Sequence, residues 1–141
     1  MKLISTGTTG RFTLVVKPEH LANRFKDSIL PPVLATPVMI MAMENAALNA
    51  VRSYLEPGES VVGTMVNVRH LAATAIGQTV TATAEVTAVE GRRIVFAISA
   101  SDEIEEIGKG THERKVVNLT RLQQRLDAKI ARSEAIRTAR R

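Results

Sequence analysis

Apolar and polar residues alternate most regularly between positions 79 and 90. Val80, Ala82, Ala84, Val86 and Ala88 face one way, and Thr79, Thr81, Thr83, Glu85 and Thr87 the other. A period of two marks a half-buried strand. Glu90-Gly91 interrupts the pattern and Ile94, Phe96 and Ile98 resume it, which predicts a hairpin about the Gly91 turn. Residues 61 to 70 alternate too, with Val62, Thr64, Val66, Val68 and His70 on one face. An early strand over Arg11 to Val16 and a last one over Ile104 to Val117, broken by Gly108 and Gly110, complete the set.

Two segments carry the helical period instead. Thr36 is a good N-cap residue and Pro37 suits the first helical position; Val38 through Leu55 then holds no glycine or proline until Glu56-Pro57-Gly58 stops the helix. Nearly every face of its first three turns is apolar, so this helix is expected to be enclosed on most sides. From Leu119 onward, Leu122, Leu126 and Ile130 recur at three- and four-residue steps, with arginines filling the opposite face of a closing helix. The order is thus strand, long buried helix, four antiparallel strands, closing helix. A single sheet curved around a central helix buries that helix without a second layer. The expected fold is therefore α+β of the hotdog type, with about five strands. The small residues at 79 to 90 suit close approach of sheet to helix, although they fit another α+β sandwich as well. The predicted organisation is one domain over 1–118 and a basic amphipathic helix over 119–141, packed on the domain or extending from it.

Composition narrows the function classes. A chain of 141 residues holds one ordinary core and needs no covalent staple. Without cysteine there is neither thiol catalysis nor a Cys-based zinc site. The longest apolar run, Val38 to Met43, falls far short of the roughly 20 residues that cross a bilayer. Met1-Lys2-Leu3-Ile4 passes at once into a Ser/Thr/Gly stretch rather than an apolar signal core, so the expected location is the cytoplasm. The net charge of +5 is lopsided: residues 1 to 118 carry twelve Lys/Arg against twelve Asp/Glu, and the tail carries seven against two. That excess raises the question of nucleic acid, but the tail has no aromatic residue for base stacking. It reads first as a solvated helix face, able to meet an acidic ligand such as a nucleotide.

Several signatures are absent. Gly58 to Gly63 has one residue too many for a nucleophile elbow and leads into a strand. Gly108-Lys109-Gly110 lacks the third glycine of a dinucleotide loop, and His112-Glu113 lacks the second histidine of a zinc protease helix. No metal is expected. What stands out is Glu44, a carboxylate among Met41, Met43, Ala47 and Leu48. Burial there strips its hydration, which is how a general base or acid is prepared; the plainer alternative is a structural carboxylate bonded to the backbone or to Asn45. His70 points to the same interior on the alternation above, so contact with Glu44 is expected to be possible. Thr36 puts a hydroxyl where free helix N–H groups favour negative charge, besides its capping role. His20 is expected to be exposed, and His112 to be a strand residue of no special role.

These residues and their surroundings resemble one family. Ala35-Thr36, then Glu44-Asn45-Ala46, Tyr54-Leu55-Glu56-Pro57-Gly58-Glu59, Val68-Arg69-His70-Leu71-Ala72-Ala73-Thr74, Val89-Glu90-Gly91-Arg92-Arg93 and Glu106 through Arg114 closely resemble the fluoroacetyl-CoA thioesterase branch of the hotdog thioesterases, over about residues 11 to 130. The resemblance implies a homodimer, or a larger oligomer built from it, that hydrolyses an acyl-CoA at a pocket on the dimer interface. Coenzyme A enters as part of the substrate and no separate cofactor is implied. Thr36, Glu44 and His70 fall on the catalytic threonine, glutamate and histidine of the family. Gly63 falls on a backbone position beside the acyl group, and Arg114 on an arginine of the last strand. Glu44 is then the group that attacks the carbonyl or activates water, His70 assists proton transfer, and Thr36 orients these groups or the substrate. Leu30 stands where the fluoroacetyl-specific type carries a phenylalanine that gates the acyl pocket. The implied substrate is accordingly a small or branched acyl-CoA. Arg69, Arg92 and Arg93 are candidates for its phosphates, each with an ordinary solvated charge as the alternative.

Eight helical steps separate Thr36 from Glu44 by about 12 Å along one straight helix, too far for contact. A shared site is therefore expected to be composite, one protomer's helix start facing the partner's helix middle, or to be spanned by substrate. Two other functions fit the same chain: a hotdog hydratase or dehydratase on an enoyl-CoA, and a non-catalytic module for acyl-CoA or nucleic acid. The first lacks a paired Asp and His at the usual loop spacing, and the second rests on the basic tail alone.

Overall fold

The computed structural model describes residues 1–140 and leaves only Arg141, one of the tail cations, outside the description. Five antiparallel strands, β1 (Thr9–Val15), β2 (Glu59–His70), β3 (Thr79–Glu90), β4 (Arg93–Ser101) and β5 (Glu106–Asn118), form one sheet in the order β1-β3-β4-β5-β2. A short helix α1 (Ala22–Phe25) precedes the long α2 (Thr36–Val51), and α3 (Leu119–Ala139) follows β5. This is the hotdog fold. The hairpin forms where alternation predicts it, with Val80, Ala82, Ala84 and Val86 of β3 beside Ile94, Phe96 and Ile98 of β4, all buried.

Contact between sheet and α2 depends on missing side chains. A Cβ on Gly10 of β1 would lie 2.2 Å from the Ala46 carbonyl oxygen and 2.3 Å from the Ala50 nitrogen, inside the helix backbone. On Gly108 of β5 it would meet the Met39 sulfur at 2.5 Å. With Ala42, Ala46, Ala47 and Ala50 on the helix side, these glycines let α2 lie directly on the sheet.

The enclosure is less complete than the sequence predicts. Ile40, Glu44, Asn45 and Leu48 are only half-buried and Met41 is exposed, so one stripe of α2, at helical spacing, is left uncovered by the chain's own sheet. The stripe exists because β2 is an edge strand and little of it touches α2. A second correction concerns the helix start. Ala35, in extended conformation, is the N-cap; Thr36 is the first helical residue and its hydroxyl makes no capping bond. A third concerns β2, where the register shifts between Gly63 and Met65. Thr64 is the extra residue of a β-bulge, and the inward parity changes across it. Val61 is consequently buried and Val62 exposed, although strict alternation places Val62 inside with Val68 and His70.

The short α1 and the 3-10 turn over Pro18–His20 lack an independent apolar period and escape the sequence reading. His20 is half-buried, its Nδ1 accepting from the Lys17 N–H at 2.9 Å. Helix α3 leaves the body at its first turn, where the Leu119 N–H donates to the Gly58 carbonyl, and it buries none of its residues. Among the described residues no helix is long and apolar enough to cross a membrane.

Candidate active site

The structure separates the candidate residues into two groups on α2. At the helix start, the Thr36 hydroxyl and His70 Nδ1 are 2.8 Å apart. The pair forms because β2 ends at His70 beside the segment that feeds α2. Leu71 N–H bonds to the Ile107 carbonyl, and Leu34 N–H to the carbonyl of Thr74, which itself is buried with its hydroxyl on Asp102. A shallow cleft of about 360 Å³ opens here, lined by Thr36, His70, Leu71, Ala72 and Ala73. His70 is half-buried, its Nε2 has no partner among the described residues, and burial lowers its pKa from the ordinary 6.5, opposed by the Ala72 backbone. Burial favours the neutral ring, whose Nε2 is enclosed without a partner.

Glu44 stands two turns further along. It is half-buried, and among the described residues it has no hydrogen-bond or ion-pair partner; its neighbour Asn45 bonds to the Met41 sulfur instead. The structural alternative, a carboxylate satisfied by backbone or Asn45, therefore does not hold. Its surroundings come from the bulged edge. A Cβ on Gly63 would lie 3.2 Å from Glu44 Oε2, 3.5 Å from His112 Cε1 and 3.9 Å from Arg114 Nη1. Gly63 thus leaves a small space between a carboxylate, an imidazole and a guanidinium. Arg114 is buried at 9% exposure; its Nη2 donates to the Val61 carbonyl at 2.8 Å, its Nη1 lies 3.2 Å from His112 Nε2, and its Nε finds no partner among the described residues.

Within one chain Glu44 and His70 do not meet: His70 bonds to Thr36, and the cleft at Thr36 does not include Glu44. The remaining candidates lie around these groups. Leu30 is partly buried against the core in the turn that leads to α2, its N–H on the Asp27 carbonyl. Arg69 is exposed, opposite Lys109 in the ladder, and they line one shallow groove with Asn67, Leu71 and Thr111. Arg92 reaches Glu59 at 3.5 Å, whereas Arg93 is held by Glu90 at 2.7 Å and by Glu113. Those two arginines are engaged on the surface.

His112, expected to be a strand residue of no special role, is placed beside the candidate carboxylate. It is fully buried, stacked on Phe96 with ring centroids 5.8 Å apart, and beside the Glu44 space. A signal was present, because His112 and Arg114 are two residues apart on one strand and so share its face.

A sequence model of the fluoroacetyl-CoA-specific thioesterase family matches residues 16–120. The chain belongs to this family. The fluoroacetyl-CoA thioesterase of Streptantibioticus cattleyicolor is 48% identical over 99 residues, 70% of this chain and 71% of that protein. A solved fluoroacetyl-CoA thioesterase superposes with a TM-score of 0.86 at 39% identity, over 91% of this chain and 98% of the other. A hypothetical protein of Thermus thermophilus, a thioesterase superfamily member, gives 0.90 at 31% identity over 96% and 99%. Membership in the fluoroacetyl-CoA-specific thioesterase family makes the chain a thioester hydrolase.

Proposed function

We propose that this thioesterase hydrolyses a small or branched acyl-CoA at a composite site of a homodimer, in which Thr36 and His70 of one protomer face Glu44 of the partner subunit. Three observations support the assembly. β2 is a free edge of twelve residues carrying the exposed Val62 and Val66, α2 keeps an uncovered apolar stripe next to it, and Glu44 lies on that stripe without a partner. Pairing two such edges continues the sheet and covers both stripes.

In the mechanism we infer, Glu44 removes a proton from water and the hydroxide adds to the thioester carbonyl. The ring N–H of His70 that Thr36 does not engage donates to the developing oxyanion. When the C–S bond breaks, the proton that Glu44 took from water passes to the leaving thiolate and His70 keeps its own, leaving acid and thiol. Thr36 fixes the imidazole plane. Gly63 leaves room for the acyl group, and Leu30 in place of an aromatic gate suits a small or branched chain. Arg69 with Lys109, both free of ion pairs among the described residues, supplies positive charge for the coenzyme A phosphates on the same strand as His70.

The observation that carries this reading is the half-buried Glu44 carboxylate with no protein partner beside the vacant Cβ position of Gly63. The test is thiol release from a panel of short, branched and fluorinated acyl-CoAs by wild type and Glu44→Gln. The variant is expected to lose about a hundred- to ten-thousandfold in kcat while remaining folded, the span of a general base. Turnover retained in Glu44→Gln removes Glu44 from the chemistry.

A further inference from the structure

Among the described residues, His112 and Arg114 are the buried titratable side chains that this mechanism does not use. The bonding of His112 leaves a single arrangement of protons. Nδ1 is 2.8 Å from the Met65 carbonyl oxygen, which only accepts, so Nδ1 carries a hydrogen. Nε2 is 3.2 Å from Arg114 Nη1, and a guanidinium nitrogen only donates, so Nε2 is a bare lone pair. The ring is therefore the neutral Nδ1–H tautomer. The bulge at Thr64 lies immediately before Met65, whose carbonyl is within reach of this β5 side chain. Phe96 stacks on the ring and fixes its plane.

We propose that His112 is a positioning residue that aims Arg114 at Glu44, with its Nε2 lone pair and the Val61 carbonyl as the two acceptors that fix the guanidinium plane. This inference rests on the thioesterase reading above, with Glu44 as the base. A guanidinium has five donors in a rigid fork, so two acceptors on different nitrogens fix its orientation. Here they hold Nη1 and Nη2, while Nε is buried and unpaired. Burial keeps the imidazole neutral, and the charge of Arg114 acts in the same direction, against the Met65 carbonyl and the nearby Glu44 and Glu113. A protonated ring would present a second donor to Arg114 and push the guanidinium off its line.

The two amide variants of His112 separate this role from packing. Asn places its amide N–H₂ near the position of Nδ1 and keeps the bond to Met65, but has nothing at Nε2. Gln reaches the Nε2 position and restores an acceptor for Arg114. Both lose the ring that stacks on Phe96. His112→Asn is expected to lower kcat about ten- to a hundredfold with KM changed less than about threefold, and His112→Gln to recover most of the loss, the scale seen when an outer group that orients a reacting one is removed. In an Arg114→Lys background, His112→Asn is expected to add little further loss, because its effect passes through the guanidinium. Equal losses in Asn and Gln, or a His112→Asn effect undiminished in the Arg114→Lys background, overturn the proposal. Should both variants misfold, ¹⁵N spectra of the wild-type imidazole decide it: a bare Nε2 with protonated Nδ1 supports the proposal and a protonated Nε2 overturns it. Wild-type thiol release, measured alongside, tests the thioesterase reading on its own, so the two failures are distinct.

Discussion

The start of α2 and its middle present two kinds of site on one helix. At the start, a single side-chain bond joins Thr36 to His70, the cleft is open, and one imidazole nitrogen waits for a partner. In the middle, Arg114, His112, Met65 and Val61 are joined in a chain of hydrogen bonds, and among the described residues the Glu44 carboxylate and the Arg114 Nε have no partner. The first arrangement holds its imidazole by one side-chain bond, and the second holds its groups by several. A general base gains from fixed surroundings, because alignment is then established during folding rather than during the reaction. In the proposed mechanism the group at the helix start has to admit the substrate and bind it, so one partner is enough for it.

If the middle is the preorganised half, filling its space should do more damage than loosening the start. Gly63→Val puts a branched side chain where a single Cβ already lies 3.2 Å from Glu44 Oε2. Thiol release is expected to fall about a hundredfold or more by displacement of the reacting groups. The fold should survive, since Gly63 is exposed on an edge strand and has no positive φ. An active Gly63→Val enzyme would place the acyl group elsewhere. Next in size is Thr36→Ala, which frees His70 to rotate. It is expected to cost about tenfold in kcat, with Thr36→Ser recovering most of it, on the scale of one lost orienting hydrogen bond. A larger loss for Thr36→Ala than for Gly63→Val would reverse the comparison and make the open end the demanding one.

How much of this was legible in the sequence differs between the two regions for a physical reason. The hairpin of β3 and β4 could be read directly, because alternation alone decides which residues of a sheet face a core. The closing helix, starting at Leu119, was legible from its period. On β2 the same rule places Val62 inside, because the extra residue at Thr64 leaves no mark in the pattern of apolar positions, yet it reverses the parity before it. Thr36 reads as a cap from its type alone; that Ala35 caps and Thr36 turns to His70 depends on a strand end more than thirty residues away. Glu44 was conspicuous because a charge in an apolar helix is costly wherever the helix lies. His112 was not conspicuous, because its place in the hydrogen-bond chain comes from Met65 and Arg114 meeting it across two strands, and pairing between strands is not written in either one.

The smallest effect tests whether both imidazoles are held neutral, as the two halves require. Burial is the main cause that lowers each from the ordinary 6.5. A lowered folded-state pKa means that the unfolded chain takes up its proton first as the pH falls. Stability contributed by the neutral rings is therefore complete above about 6.5 and is lost as pH falls through the folded-state values. Tm is expected to be level around neutral pH and to decline below it. His112 is fully buried and His70 only half-buried, so His112 should carry the larger share. His112→Gln, which removes one titrating ring and keeps an acceptor for Arg114, should make the decline shallower than in wild type, and His70→Gln should do so to a lesser degree. Equal steepness in all three proteins would assign the decline to carboxylates and leave neither imidazole desolvated enough to matter.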